Sequence, residues 1–259
     1  MIATKNSTRH HDSSGLCRYL EWDSDFFGCR IASLQPTRLD AASARIALDW
    51  CATREIECLY FLSELEPQSV AAAEAHGFRL VDVRMTLETR LASPGSAAPA
   101  AVRVVQPNDV PALRAIARAS HRDTRFYSDT RFDRSRCDAL YETWIERSCH
   151  GYADEVLIVD VDGRAAGYIS CHASASGEGQ IGLVGVDAAV RGRGIGRALL
   201  DAALSWFGGR QIAHVTVVTQ GRNYAAQRLY QRSGFVTGSV QLWYHRWFGG
   251  IGDVSDEHV

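Results

Sequence analysis

The sequence contains no C-x-x-C pair. Its seven cysteines, Cys17, Cys29, Cys51, Cys58, Cys137, Cys149 and Cys171, are odd in number and scattered, so neither a disulfide frame nor a zinc-site spacing is indicated. They read as free thiols in a reducing compartment, some of them buried as small apolar residues. The nine histidines are unclustered apart from His10-His11, and no metal is expected. No apolar run reaches the roughly 18 residues that span a bilayer. Met1 to Gly15 is polar and has no apolar signal segment, so a disordered tail and a cytoplasmic protein without membrane insertion are expected. A formal net charge of −2 argues against non-specific nucleic-acid binding. What the chain does have is 259 residues, 46% of them hydrophobic, enough for one large domain or two ordinary ones.

Its most informative stretch is Arg191-Gly192-Arg193-Gly194-Ile195-Gly196-Arg197, where a β-rich segment hands over to an amphipathic helix. Glycines let a backbone turn tightly and approach a ligand, and the N-terminus of the helix favours an anion. The Gly-Lys-Ser/Thr of a Walker loop is missing. A dinucleotide fingerprint is missing too: the third glycine falls one position early, and the next strand ends at Thr219-Gln220-Gly221 without an acid for a ribose. What remains is Arg/Gln-x-x-Gly-x-Gly/Ala, filled by Arg191, Gly194 and Gly196.

Leu91 to Ala101, made of Pro, Gly, Ser and Ala after its first residue, marks a linker. The division expected is a tail over 1–15, a small α/β domain over 16–91, a linker over 92–101, a larger domain over 102–248 and a loose tail over 249–259. The small domain is predicted to hold helices near 40–54 and 68–76 and strands near 56–62 and 79–89. In the larger one, Asp162-Gly163 signals a hairpin between strands at 156–160 and 166–172. A strand at 181–186 feeds the glycine loop, a helix carries Leu200, Ala203, Leu204 and Phe207 on one face, and a strand follows at 212–219. Asn223 is suited to cap the next helix and Gly234 to end it before a strand at 236–247. A helix, Gly-Phe, strand sequence occurs twice, at Ala71 to Glu88 and at Ala226 to His245. Such joints are common, but a truncated copy of the second half would produce the same echo.

The loop, the helix opened by Asn223 and the ending Tyr230-x-x-x-Gly234-Phe235 resemble the Gcn5-related N-acetyltransferases, whose loop cradles the pyrophosphate of coenzyme A. LEWDSDFFG near Trp22, TRFYSDTRFDRSRCDALYETWI and NYAAQRLYQRSGF resemble more narrowly the TDP-fucosamine (dTDP-4-amino-4,6-dideoxygalactose) N-acetyltransferases, over roughly Leu16 to Phe248. The tails and the loop Ala173 to Gly179 depart from that family. The resemblance implies an acyl-CoA N-acyltransferase fold, a mixed α/β sheet flanked by helices, with the N-terminal domain as a partial copy. It also implies acetyl-CoA as donor and acetyl transfer to the amine of a nucleotide-linked amino-deoxysugar.

That transfer needs a neutral amine, support for a tetrahedral oxyanion and a proton for the departing thiolate. Main-chain groups of Leu183, Val184, Gly185 and Val186 are expected to hold the pantetheine arm and thioester. Arg191, Gly192, Arg193, Gly194, Ile195, Gly196 and Arg197 are expected to hold the pyrophosphate. The resemblance points to Tyr230 as proton donor. Asn223, about two turns earlier, is either a cap or a cofactor contact. His172 and Glu178 lie near the strand, but no base is assigned.

Between Arg114 and Arg136 stand seven arginines against three aspartates, interleaved with Phe126, Tyr127 and Phe132. Arginine forks suit phosphate and aromatic faces suit rings. Arg122, Arg125, Phe126, Tyr127 and Arg131 are therefore expected to meet a nucleotide sugar, while Arg114 and Arg118 read as a solvated helix face. Transfer to another small amine, amino acid or protein N-terminus, and a non-catalytic acyl-CoA sensor, stay open as alternatives. A homodimer is expected from the base rate of soluble oligomers.

Overall fold

The computed structural model describes residues 15–91 and 102–249; the expected tails and the linker at 92–101 lie almost wholly outside them. The chain divides into two compact units, Met1–Arg84 with Val240–Val259, and Met85–Ser239. This differs from the division expected at the linker. The boundaries fall inside two strands, because the last part of the C-terminal strand pairs within the first unit.

In that first unit the elements are β1 (Cys17–Tyr19), α1 (Glu21–Phe27), β2 (Ile31–Leu34), α2 (Ala41–Thr53), β3 (Cys58–Glu64), α3 (Pro67–Ala75) and the start of β4 (Arg79–Arg90). β1 and β2 are antiparallel, and β2 and β3 are parallel across the α2 crossover. The second half of β10 (Val236–Trp247) runs antiparallel to β3, from Gln241 opposite Glu64 to Trp247 opposite Cys58. Leu59, Phe61, Trp50, Phe78 and Tyr244 form its core. Asp40 opens α2 by accepting from the Ser43 N–H.

The second unit holds the end of β4, then β5 (Val102–Val104), α4 (Val110–Ser120), α5 (Arg125–Ser128), α6 (Arg134–Arg147), β6 (Glu155–Val161), β7 (Arg164–Ala173) and β8 (Glu178–Val186). There follow α7 (Ile195–Gly209), β9 (His214–Gln220), α8 (Tyr224–Arg232) and the start of β10. Strand order is β4-β9-β8-β7-β6-β5, with β5 to β8 antiparallel and β8 parallel to β9. The predicted hairpin forms, with Asp162 and Gly163 both at positive φ. Alternation along β7 places helices on both faces. A Cβ on Gly167 would meet Ile195 and Leu199 of α7, whereas the next residue, Tyr168, meets His121 at the end of α4. β9 starts later than the predicted residue 212, because Gln211 turns at φ 60° and the Ile212 N–H is spent on the Phe207 carbonyl of α7.

The echo seen in the sequence extends to the caps. Gly77 follows α3 at φ 72° and Phe78 donates to the Ala73 carbonyl at 3.0 Å; Gly234 follows α8 at φ 85° and Phe235 donates to the Tyr230 carbonyl at 3.1 Å. Further back, Glu55 after α2 and Gln211 after α7 both adopt positive φ, and Ile56 and Ile212 both bond back five residues. The chemistry does not repeat. Ala73 stands where the second helix has Tyr230, Glu66 stands at the N-cap position of Asn223 without a side-chain cap, and Gln35 to Asp40 before α2 contains no glycine.

Candidate active site

The second unit contains a split between two parallel strands. β8 and β9 pair from Glu178 opposite His214 to Ile181 opposite Val217, and there the pairing stops. Beyond it β8 stays with β7 as far as Val186 opposite Gly167, while β9 continues to Gln220 with no partner on its β8 side. Main-chain groups at the end of two strands are thus left without a sheet partner on one side. An extended ligand with amide groups matches that edge.

The split opens toward the glycine loop. Gly192 and Gly194 hold φ of 79° and 80°, and a Cβ on either would meet nothing within 4 Å, so the loop backbone is open to approach. Gly194 caps α7 without a side chain, and the first intrahelical bond is from Ala198 to the Gly194 carbonyl. The N–H groups of Ile195, Gly196 and Arg197 precede it. They and the helix dipole face outward, a setting for a pyrophosphate. Arg191 is tied down, donating to the Val186 carbonyl at 3.2 Å and Ser120 Oγ at 3.5 Å. Arg197 is engaged by Asp201, both carboxylate oxygens at 2.8 Å, and by the Arg232 carbonyl, which draws its charge toward α8. Arg193 is exposed.

Helix α8 sits beside this turn. A Cβ on Gly196 would stand 3.3 Å from Leu229, so glycine sets the close approach of α7 and α8. Tyr230, the next residue, is 4% exposed, lies 5.7 Å from the Phe235 ring and belongs to the buried core that includes Ile195, Leu199 and Val217. Its hydroxyl has no hydrogen-bond partner among the described residues, and burial pushes its pKa up. Asn223 Oδ1 accepts from the Ala226 N–H at 3.1 Å, which confirms the cap and leaves the amide nitrogen for another partner.

On the α4 side of β7 and β8 lies a polar row that sequence reasoning missed. Two residues of β8, Gly182 and Leu183, oppose the single Ser170 of β7, a β-bulge. Ser170 Oγ accepts the Leu183 N–H at 2.8 Å. Tyr168 pairs with His121 Nε2 at 2.9 Å; enclosure lowers the imidazole pKa to about 4 and raises that of the phenol. His121 also stacks on Tyr141. His172 is held below its ordinary pKa by burial, and its Nε2 is enclosed without a partner. The register shift places the bulge, and Gly182 inside β8 is the residue signal that could have found it.

The arginine and aromatic segment is brought together but not all exposed. Arg122 and Arg131 are exposed, whereas Arg125 is buried over the Phe126 ring at 4.1 Å. Phe126 itself is 3% exposed against Phe132 and Trp144, so its ring serves packing. The Tyr127 hydroxyl donates to Asp138, and burial, helped by that carboxylate, holds the phenol pKa up. Arg222, beside Asn223, donates to Ser128 Oγ at 2.6 Å and ties the α8 entry to α5. Arg114 and Arg118 pair across to Glu142, Glu146 and Asp138 of α6, the solvated face expected. Two open hollows of about 550 and 460 Å³ flank α4, and neither is lined by the glycine loop.

Residues 113–235 match the family model described as Acetyltransferase (GNAT) family. The chain is 29% identical over 232 residues, 88% of its length and 96% of the relative's, to dTDP-fucosamine acetyltransferase of Escherichia coli O6:H1. It is 27% identical to the Spore coat polysaccharide biosynthesis protein SpsD of Bacillus subtilis, over 56% of this chain and 50% of that one. Among solved structures, a GCN5-related N-acetyltransferase from Sphaerobacter thermophilus superposes with a TM-score of 0.61 at 20% identity, covering 91% of this chain and 77% of that one.

Proposed function

Since residues 113–235 are a GNAT acetyltransferase domain and the protein is an acetyl-CoA-dependent N-acetyltransferase, we propose that its acceptor is the amine of a nucleotide-linked 4-amino-4,6-dideoxyhexose. The observation that carries this reading is a match to the E. coli dTDP-fucosamine enzyme that runs through both units and covers 96% of that relative. The exposed Arg122 supports it, because a guanidinium suits a phosphate and would repel a cationic polyamine.

The residues present fit the donor. The loop backbone from Gly192 to Gly196 and the first turn of α7 would take the pyrophosphate, and the free edge at Val184 to Val186 would take the pantetheine amides. When bound, acetyl-CoA supplies an activated acyl group. Main-chain N–H groups of β8 would polarise the thioester carbonyl as the neutral amine attacks. Tyr230 would give its proton toward the leaving sulfur. Against a thiol near 8.5, a phenol raised above about 10 gives it up uphill, so it acts through a hydrogen bond formed while the C–S bond breaks. We also propose a cytoplasmic homodimer, where acetyl-CoA and nucleotide sugars are both found. Among the described residues no helix is long and apolar enough to cross a membrane.

The test is thiol release from acetyl-CoA by the purified protein over a panel of dTDP-linked 4-amino-4,6-dideoxyhexoses, amino acids and polyamines. Turnover confined to a nucleotide amino-sugar supports the proposal. Turnover only with another class of amine sinks it and leaves the acetyltransferase in place.

A further inference from the structure

We propose that Ser170 is a positioning residue for the thioester. Its hydroxyl, by taking the Leu183 N–H inside the β7–β8 bulge, fixes the phase in which Val184 to Val186 present their main-chain groups to the split beside β9. This rests on the reading of that edge as the holder of the thioester.

The phase is visible in the side chains. In a regular strand, residues two apart share a face. In β8, Ile181, Val184 and Val186 all pack toward the core beneath α7, so three positions separate the first two, not two. Gly182 and Gly185 point the other way, Gly182 toward Ser170 and His172 and Gly185 toward Tyr168. One inserted residue produces that shift, and removing it would turn every later residue of β8 over. Val184 and Val186 would then face the Tyr168 ring, which already fills the space at Gly185.

A bulge leaves one donor without its usual main-chain acceptor. Here that donor is the Leu183 N–H, buried, and Ser170, fully buried on the opposite strand, supplies the replacement at 2.8 Å. Gly182 makes room for it: a Cβ there would lie 2.6 Å from Ser170 Oγ and 2.5 Å from His172 Nε2. The bulge also lies one residue past the last β8–β9 pair, Ile181 with Val217. Ser170 thus acts where the strand leaves its neighbour. A hydroxyl on β7 sets the direction of amide dipoles on β8, and those dipoles would polarise the acyl carbonyl.

The experiment uses full-length protein saturated with [1-¹³C]acetyl-CoA and reads the carbonyl resonance of the bound thioester, with no acceptor present. In the wild type the resonance is expected downfield of free acetyl-CoA. In Ser170→Ala it should return most of the way to the free position with the ligand still bound, whereas Ser170→Thr, which keeps Oγ, should hold the wild-type shift. Gly182→Ala, which displaces the hydroxyl from the other side, should reproduce the Ser170→Ala signal and decides the matter if that variant does not fold. A bound resonance in both Ser170→Ala and Gly182→Ala equal to the wild type, with only a lower melting temperature, makes Ser170 merely structural and overturns the proposal. A wild-type resonance at the free position, or no binding at all, overturns the β8 reading and the proposal with it. The sugar assignment is untouched by any of these outcomes.

Discussion

Gly185 and Tyr168 face each other across β7 and β8, and a Cβ on the glycine would stand 2.6 Å from the phenol ring. The ring is fully buried and held by His121, so it has little freedom to retreat. Gly185→Ala is therefore expected to destabilise the protein by about 1–3 kcal/mol through overpacking. A lowered melting temperature together with weaker acetyl-CoA binding by calorimetry checks this; unchanged values of both would contradict it.

Tyr230→Phe removes a hydroxyl that has no partner among the described residues. Stability and acetyl-CoA affinity should hold, while kcat falls by roughly 10²-fold, the scale of a lost general acid. Steady-state thiol release beside a binding isotherm separates the two. A sensor module would be indifferent to the change.

Arg122→Ala should raise KM for the nucleotide sugar and leave the acetyl-CoA KM alone, because the side chain is exposed in the arginine segment. Phe126→Ala should behave differently. Its ring is buried between Phe132 and Trp144, so a loss of about 3–5 kcal/mol of stability is expected from the cavity. Denaturant unfolding of Phe126→Ala with a normal midpoint would contradict that placement.

His214 lies between Glu178 at Nδ1 and Glu88 at Nε2, and these carboxylates raise its pKa. A folded-state pKa above the unfolded value of about 6.5 contributes stability that is fully present below about 6.5 and is lost as pH rises through the raised value. The melting-temperature advantage of wild type over His214→Gln should accordingly be largest near pH 5.5 to 6 and shrink on the alkaline side. An advantage that grows with pH would have the wrong sign.

The order of elements, the hairpin at Asp162-Gly163, the glycine turn and the Asn223 cap were legible in the sequence because each depends on local backbone chemistry. A glycine at positive φ or an amide that accepts from the third N–H onward needs no distant partner. The repeated helix, Gly-Phe, strand joint was legible for the same reason. The arginine segment was legible as composition only. Which of its members reach solvent depended on how α5 and α6 pack, and Phe126 and Arg125 turned inward.

Pairing is where tertiary structure decided. Nothing local tells the second half of β10 to run beside β3, or tells β8 to leave β9 after Ile181. Both follow from hydrogen-bond partners contributed by segments far away in the chain. The bulge at Gly182-Leu183 belongs with them, since the acceptor of its Leu183 N–H is a serine on another strand. Sequence determined the turn that would receive the pyrophosphate, through the conformational freedom of its glycines. The split that would admit the thioester came only from the register of strands, which is a property of pairs and not of residues.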